Sequence, residues 1–277
     1  MELLVKPQNT TILILIRFLH LRKLNTAKRM SAFWAEFMGT FLLLFVGNGV
    51  VANVVLKQTK AAGDPGSWIM ITTAWGLAVY IGVVVAGPYS GAHLNPAVSL
   101  ALWLNTDLTT SQLGTYVLAQ LLGAAAGTTL NYFFYKPHYD ITENGAAIRG
   151  SFCTAPSFDK TWNNFLSEAM GAFVLVFVVF YISPASLEAD PSIPIGLGSV
   201  GALPVGLLVW VIGLGLGGTT GYAINPARDL GPRIMHQLLP IKHKIDSGWS
   251  YAWIPVCAPL AGAALAWWIK ELLLTTV

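Results

Sequence analysis

The chain carries one sequence pattern twice. Ala35-Glu-Phe-Met-Gly-Thr-Phe-Leu-Leu-Leu-Phe45 returns as Ser167-Glu-Ala-Met-Gly-Ala-Phe-Val-Leu-Val-Phe177, which aligns Glu36 with Glu168, Gly39 with Gly171, and Phe41 and Phe45 with Phe173 and Phe177. Gly76-Leu77 then matches Gly206-Leu207, Gly91-Ala-His-Leu-Asn-Pro-Ala97 matches Gly221-Tyr-Ala-Ile-Asn-Pro-Ala227, and Gly123-Ala-Ala matches Gly262-Ala-Ala. The order is the same in both halves, so the pattern is a duplication. Each half contains three apolar runs long enough to cross a bilayer, which takes about 20 residues. The runs are roughly 31–56, 68–87, 112–135, 162–183, 200–217 and 250–274. Three crossings per half make the second half enter the membrane from the opposite side. The expected fold is therefore an all-α membrane protein with an inverted three-plus-three repeat, 31–135 and 162–274, and a site where the halves meet.

Composition agrees with a membrane as solvent. Hydrophobic residues make up 55% of the 277 and charged residues 10%, against about 25% charged in soluble domains. So few charges cannot cover a water-exposed surface, which argues against a cytosolic enzyme, a disordered chain or a nucleic-acid binder. The net charge of +3 forms no basic face. Two cysteines, Cys153 and Cys257, exclude a disulfide scaffold and a cysteine metal cluster. No second His and acid accompany His93 at metal spacing, so no metal site is expected. Trp34, Trp68, Trp103, Trp162, Trp249 and Trp253 fall near the ends of runs, where interfacial aromatics belong.

Asn95-Pro96-Ala97 and Asn225-Pro226-Ala227 follow the second and fifth runs. Asn is a good N-cap and Pro is tolerated in a first helical turn, so each motif begins a helix, roughly 95–104 and 225–238. Both segments are too short to span. They read as re-entrant half-helices, which lipid tolerates only where protein or a water-filled lumen satisfies the broken backbone. The blander reading is a pair of proline turns. In an inverted repeat the half-helices enter from opposite faces and bring their positive N-termini to one point. Two Asn amides there can donate into a lumen. Such a point repels cations and opposes a proton relay through water.

These residues resemble the aquaporin superfamily, the major intrinsic proteins. The resemblance rests on the repeat, the six runs, Ser90-Gly-Ala-His-Leu-Asn-Pro-Ala-Val98 and Gly221-Tyr-Ala-Ile-Asn-Pro-Ala-Arg-Asp-Leu-Gly-Pro-Arg233, and it covers about 31–270. Asp229 directly after Arg228, with Arg233 beyond it, is similar to the bacterial glycerol facilitators, or aquaglyceroporins, and serves as a class marker. The resemblance implies a passive channel for glycerol, other small uncharged solutes and water that excludes ions and protons, needs no cofactor and is not an enzyme. It implies homotetramers in the lipid bilayer of the plasma membrane, with one pore per subunit.

By the same resemblance four positions line the narrowest point: Trp68, Gly213, Tyr222 and Arg228. Trp68 and Tyr222 would form an apolar corner for the carbon edge of a polyol, and Arg228 would offer donors to its hydroxyls. Gly213 stands where water-specific channels usually place a His, and its missing side chain would widen the lumen. An interfacial role for Trp68 and simple helix packing for Gly213 are the competing readings. Tyr222 departs from the Phe common in glycerol facilitators. Its hydroxyl would narrow or polarise the filter, which extends the expected solutes to dihydroxyacetone, urea and undissociated lactic acid.

Glu36 and Glu168 are intramembrane acids at matched places. A proton-coupled secondary transporter would use them as a relay. The family resemblance instead makes each carboxylate the acceptor that holds a re-entrant loop. His93 lines the cytoplasmic vestibule or bonds to its loop; the sequence leaves both open. Residues 1–29 have no partner in the repeat. The apolar stretch 11–16, followed by Arg17, Arg22, Lys23, Lys28 and Arg29, reads either as an interfacial basic helix or as an extension preceding a natural start at Met30. Even span number puts both termini on one side, expected to be cytoplasmic.

Overall fold

The computed structural model describes residues 30–183, 185–186 and 195–275. The expectations for residues 1–29 lie outside the described residues. In chain order the helices are α1 Ala32–Val55, α2 Ser67–Ser90, half-helix α3 Pro96–Leu104, α4 Thr110–Phe134, the short α5 Lys136–Ile141 and α6 Gly145–Gly150, then α7 Thr161–Val179. A 3₁₀ turn over Gly198–Ala202 leads into α8 Leu203–Leu216, followed by half-helix α9 Pro226–Leu238 and α10 Trp249–Thr275. Among the described residues, six helical segments are long and apolar enough to cross a membrane. The chain is a multi-pass membrane protein.

Packing follows the duplication. α1 packs on α4 as α7 packs on α10, and α9 lies on α4 as α3 lies on α10. The repeat-matched glycines sit at these crossings. Gly76 and Gly206 face each other where α2 meets α8: a Cβ on Gly76 would lie 2.7 Å from the Gly206 carbonyl, and one on Gly206 would lie 2.8 Å from the Gly76 carbonyl. Gly123 abuts the carbonyl of Phe37, and its match Gly262 abuts the carbonyl of Ala169. Small residues at crossings let helix backbones approach in lipid, where packing and hydrogen bonds replace the hydrophobic drive.

Local signals set the element ends. Thr109 and Gln112 close a capping box at the start of α4: the Gln112 N–H donates to Thr109 Oγ1 at 3.3 Å and the Thr109 N–H donates to Gln112 Oε1 at 2.9 Å. The connection between the halves carries two helices that sequence periodicity does not reveal, α5 and α6. They are six residues each, too short for an amphipathic pattern to show. Tyr139, Ile148, Phe152 and Cys153 from this connection bury against Tyr132, Leu239 and Ile241 and make a second core outside the bundle.

Candidate functional site

The two motif loops are built alike. Gly91, Ala92 and Leu94 have φ of 82°, 53° and 54°, and Gly221, Tyr222 and Ile224 have 84°, 39° and 44°. For a non-glycine this left-handed region costs on the order of 1–3 kcal/mol per residue, so such loops persist only where their surroundings over-determine them. Glu36 and Glu168 supply much of that restraint. Both are fully buried. Glu36 accepts the N–H groups of His93 and Leu94 at 2.9 and 2.7 Å, and Glu168 accepts those of Ala223 and Ile224 at 2.9 and 2.8 Å. A hydroxyl at the repeat-matched place adds to each, Ser90 to Glu36 at 2.5 Å and Thr220 to Glu168. Gln120 donates to Glu36 at 2.8 Å as well. Hydrogen bonds to a charged acceptor contribute roughly 1.5–3 kcal/mol each, enough to offset the strain of the loops they hold.

Each loop delivers an Asn to a helix start. Asn95 Oδ1 accepts from the Ala97 N–H at 2.8 Å, and Asn225 Oδ1 accepts from Ala227 and Arg228 at 3.0 and 3.1 Å. Pro96 and Pro226 occupy the first helical positions, where a missing N–H costs nothing. The amide nitrogens reach across: Asn95 Nδ2 donates to the Ile224 carbonyl at 2.9 Å and Asn225 Nδ2 donates to the Leu94 carbonyl at 2.8 Å. The half-helix N-termini therefore meet, joined by reciprocal bonds. One of the two N–H groups of each amide is committed to backbone, which leaves one for the lumen. Both Asn residues line the cavity between the halves.

That cavity is about 150 Å³ and runs from His93 and Leu102 to Tyr222 and Arg228 along an apolar wall that includes Leu43 and Val209. His93 lines it and also bonds through Nδ1 to Ser99 Oγ at 3.0 Å, with its ring 4.8 Å edge-on to Tyr116. Arg228 is 8% exposed. Among the described residues none hydrogen-bonds its guanidinium, and its nitrogens are not among the buried unpartnered atoms. Its N–H groups therefore open onto the cavity.

Trp68, Gly213 and Tyr222 come together. The Trp68 and Tyr222 rings are 6.0 Å apart and edge-to-face at 79°. Gly213 lies beneath Tyr222: a Cβ there would be 2.7 Å from Tyr222 Cζ and 2.9 Å from Thr72 Cγ2. Gly217 gives room to both rings in the same way, its Cβ position lying 2.5 Å from Tyr222 Cδ1 and 2.8 Å from Trp68 Cζ2. Two expectations change here. The space left by Gly213 is taken by the Tyr222 ring, so the glycine seats an aromatic instead of widening the lumen. The Tyr222 hydroxyl is buried with no hydrogen-bond partner, so it presents no polar atom to the cavity. Trp68 does not line the cavity that Tyr222 and Arg228 share. The guanidinium of Arg228 lies over Trp75, 4.2 Å from the ring centroid. Trp75 is seven residues beyond Trp68 on α2, a rise of about 10 Å.

Asp229 faces away from the cavity. Its carboxylate accepts Arg233 Nε at 2.8 Å and Nη2 at 3.0 Å, and the N–H and hydroxyl of Thr154 at 2.8 and 2.6 Å. Arg233 also donates to the carbonyls of Thr154 and Ser247 at 2.8 and 2.6 Å. This buried pair ties α9 to the connection between the halves. Thr154, Ser99, Gln120 and Trp75 escape sequence reasoning; of these only Trp75 carries a signal, a large aromatic beside a repeat anchor.

Two oppositely entering half-helices, anchored loops and a cavity between inverted halves define a helical membrane channel. The chain belongs to the major intrinsic protein family, whose pattern matches residues 23–270. It is 48% identical over 237 residues to a glycerol uptake facilitator protein of Streptococcus pneumoniae, covering 86% of this chain and 97% of that one. A probable glycerol uptake facilitator protein of Thermotoga maritima is 48% identical over 236 residues, 85% of this chain and 96% of its own. Among solved structures, the aquaglyceroporin from Plasmodium falciparum superposes with a TM-score of 0.72 at 31% identity, over 86% of this chain and 94% of the other.

Proposed function

We propose that the chain conducts glycerol, and with it water and other small uncharged solutes, passively across the plasma membrane. The observation that carries this reading is the lining of the cavity, which combines many apolar side chains with Arg228, whose N–H groups are open, and with the spare amide hydrogens of Asn95 and Asn225. A polyol has a carbon edge and a hydroxyl edge, and the wall offers a surface to each. The charge of Arg228 and the two positive half-helix ends disfavour cations. Trp75, Tyr222 and Arg228, which line the cavity, form the selectivity filter in this reading, with Gly213 and Trp68 packed against the Tyr222 ring and Asn95-Pro96-Ala97 and Asn225-Pro226-Ala227 as the second checkpoint. Glu36 and Glu168, saturated by loop donors, act as supports. The names of the relatives support glycerol as the solute. Dihydroxyacetone, urea and undissociated lactic acid share its size and neutrality and belong to the same solute class. Family membership supports a homotetramer, and the even span number supports both termini on one side, which in this reading is the cytoplasmic one.

Stopped-flow light scattering on proteoliposomes tests the proposal. Glycerol flux should rise linearly with gradient, carry no current and ignore uncouplers. Saturation at low glycerol together with collapse on adding a protonophore would overturn it.

A further inference from the structure

The last turn of α9 holds a buried histidine that does not line the cavity. His236 is fully buried, and Phe152 from the connection between the halves stands edge-on to its ring at 5.3 Å, backed by Tyr132 of α4 and Tyr139 of α5. Its tautomer can be read from its partners. Trp249 Nε1, which can only donate, reaches Gln237 Oε1 at 3.3 Å, so that atom is the amide oxygen. Ser247 Oγ lies 3.0 Å from the same oxygen and gives it the one hydroxyl hydrogen. His236 Nδ1, 2.8 Å from Ser247 Oγ, is then the donor to that oxygen. Nε2 is left as a bare lone pair, buried without a hydrogen-bond partner among the described residues. The same serine is held a second time. Arg233, one turn earlier on α9, donates to the Ser247 carbonyl at 2.6 Å and to the Gly248 carbonyl at 3.2 Å. His236 and Arg233 together latch the segment 240–248 onto α9, whose first turn carries Arg228.

We propose that His236 is an acid-sensitive latch: a proton taken up at Nε2 releases the segment 240–248 from α9, and conduction falls because the helix that positions Arg228 loses its outer fastening. A protonated Nε2 is a donor with no acceptor, and it sets a second cation one turn from the Arg233 guanidinium. Arg149 of α6 and Lys244 of the segment add positive charge, and Asp246 opposes them more weakly. From α10, Tyr251 presents an uncharged ring to Arg233 at 5.8 Å. Burial first, and then Lys244, Arg149 and Arg233, hold the imidazole down to about 4 from its ordinary 6.5. Once the segment lifts, water reaches the ring and the ordinary value returns. The latch is therefore at full strength above about pH 6.5, and its opening equilibrium rises about tenfold for each pH unit below that, until the closed form also takes up the proton. The parity of the spans places it on the membrane face opposite the chain ends. Its effect on conduction rests on the channel reading.

The test uses the full chain in proteoliposomes with the same pH on both sides. It compares wild type with His236→Asn, whose amide nitrogen can replace Nδ1 as the donor to Ser247 but does not titrate. Water and glycerol permeability of the wild type should fall at least about threefold between pH 7.5 and pH 4.5 and recover on neutralisation. His236→Asn should conduct as wild type at pH 7.5 and keep its permeability at pH 4.5. Amide hydrogen exchange in 240–248, corrected for the intrinsic effect of pH on exchange, should accelerate at least about tenfold between pH 6.5 and pH 4.5 in the wild type and less than about twofold in the variant. A flat wild-type permeability, an acid loss shared by His236→Asn, or unchanged exchange would overturn the proposal. If His236→Asn does not insert, Arg149→Gln removes a neighbouring cation and should move the acid transition to higher pH; an unmoved midpoint overturns it equally. Glycerol flux at pH 7.5 tests the channel reading by itself, and water permeability decides the pH response even in a pore that passes water alone.

Discussion

A glycine beneath an aromatic ring does two jobs that a single substitution separates. At Gly213 even one methyl would meet Tyr222 Cζ at 2.7 Å, so Gly213→Ala should tip the Tyr222 ring toward the lumen. Glycerol permeability should fall about tenfold, a barrier increase of about 1.4 kcal/mol, with water less affected. Tyr222→Phe removes a hydroxyl that is buried without a partner. An unsatisfied buried hydroxyl costs about 1–3 kcal/mol, so the variant should melt no earlier than wild type in detergent and keep its solute ranking. A loss of polar-solute selectivity in Tyr222→Phe would show that the hydroxyl faces the pore after all. These residues also mark where sequence reasoning reaches its limit. The Gly213–Tyr222 pair is legible as two filter positions, yet which of them fills the space depends on ring orientation, a property of packing that spacing does not encode. The signal at Trp75, an aromatic beside a repeat anchor, is faint in an apolar chain with 10 Trp, and the cation lying on its ring is what singles it out.

At the scale of elements, the strained loops and their acids form one unit. Glu36→Gln and Glu168→Gln should each lower the yield of folded protein, because an amide oxygen is a weaker acceptor and its NH₂ adds donors that need partners. Channels that do fold should conduct nearly as wild type; normal yield with abolished transport would instead point to a relay. The Asp229–Arg233 pair is the corresponding tie on the outer side of α9. Asp229→Asn leaves Arg233, 1% exposed, without its counter-charge, and removing one partner of a buried pair costs about 3–5 kcal/mol. Its melting temperature in detergent should drop clearly, and a variant replacing both residues by apolar ones should drop less. The half-helices were readable to within a residue or so because capping and proline placement are local chemistry. The six-residue helices α5 and α6 were not, because their stability comes from the second core they share with Tyr132 and Leu239.

For the whole molecule the duplication predicted the inverted topology and the meeting of the two motifs, since both follow from the parity of the spans. It does not extend to residues 1–29, which have no counterpart in either half. A chain begun at Met30 should therefore insert and conduct like the full one; loss of insertion would show that the leading residues matter. The reciprocal bonds at the centre carry a consequence in time. The Asn95 amide and the Ile224 carbonyl that receives it are 129 residues apart, and a ribosome adding about 5–20 residues per second needs about 6–26 s to make that stretch. For that interval the first half stands in the membrane with its motif loop exposed where its partner will later be. The newborn half-channel must be sheltered by lipid-facing neighbours or by the insertion machinery until the second half arrives to close it.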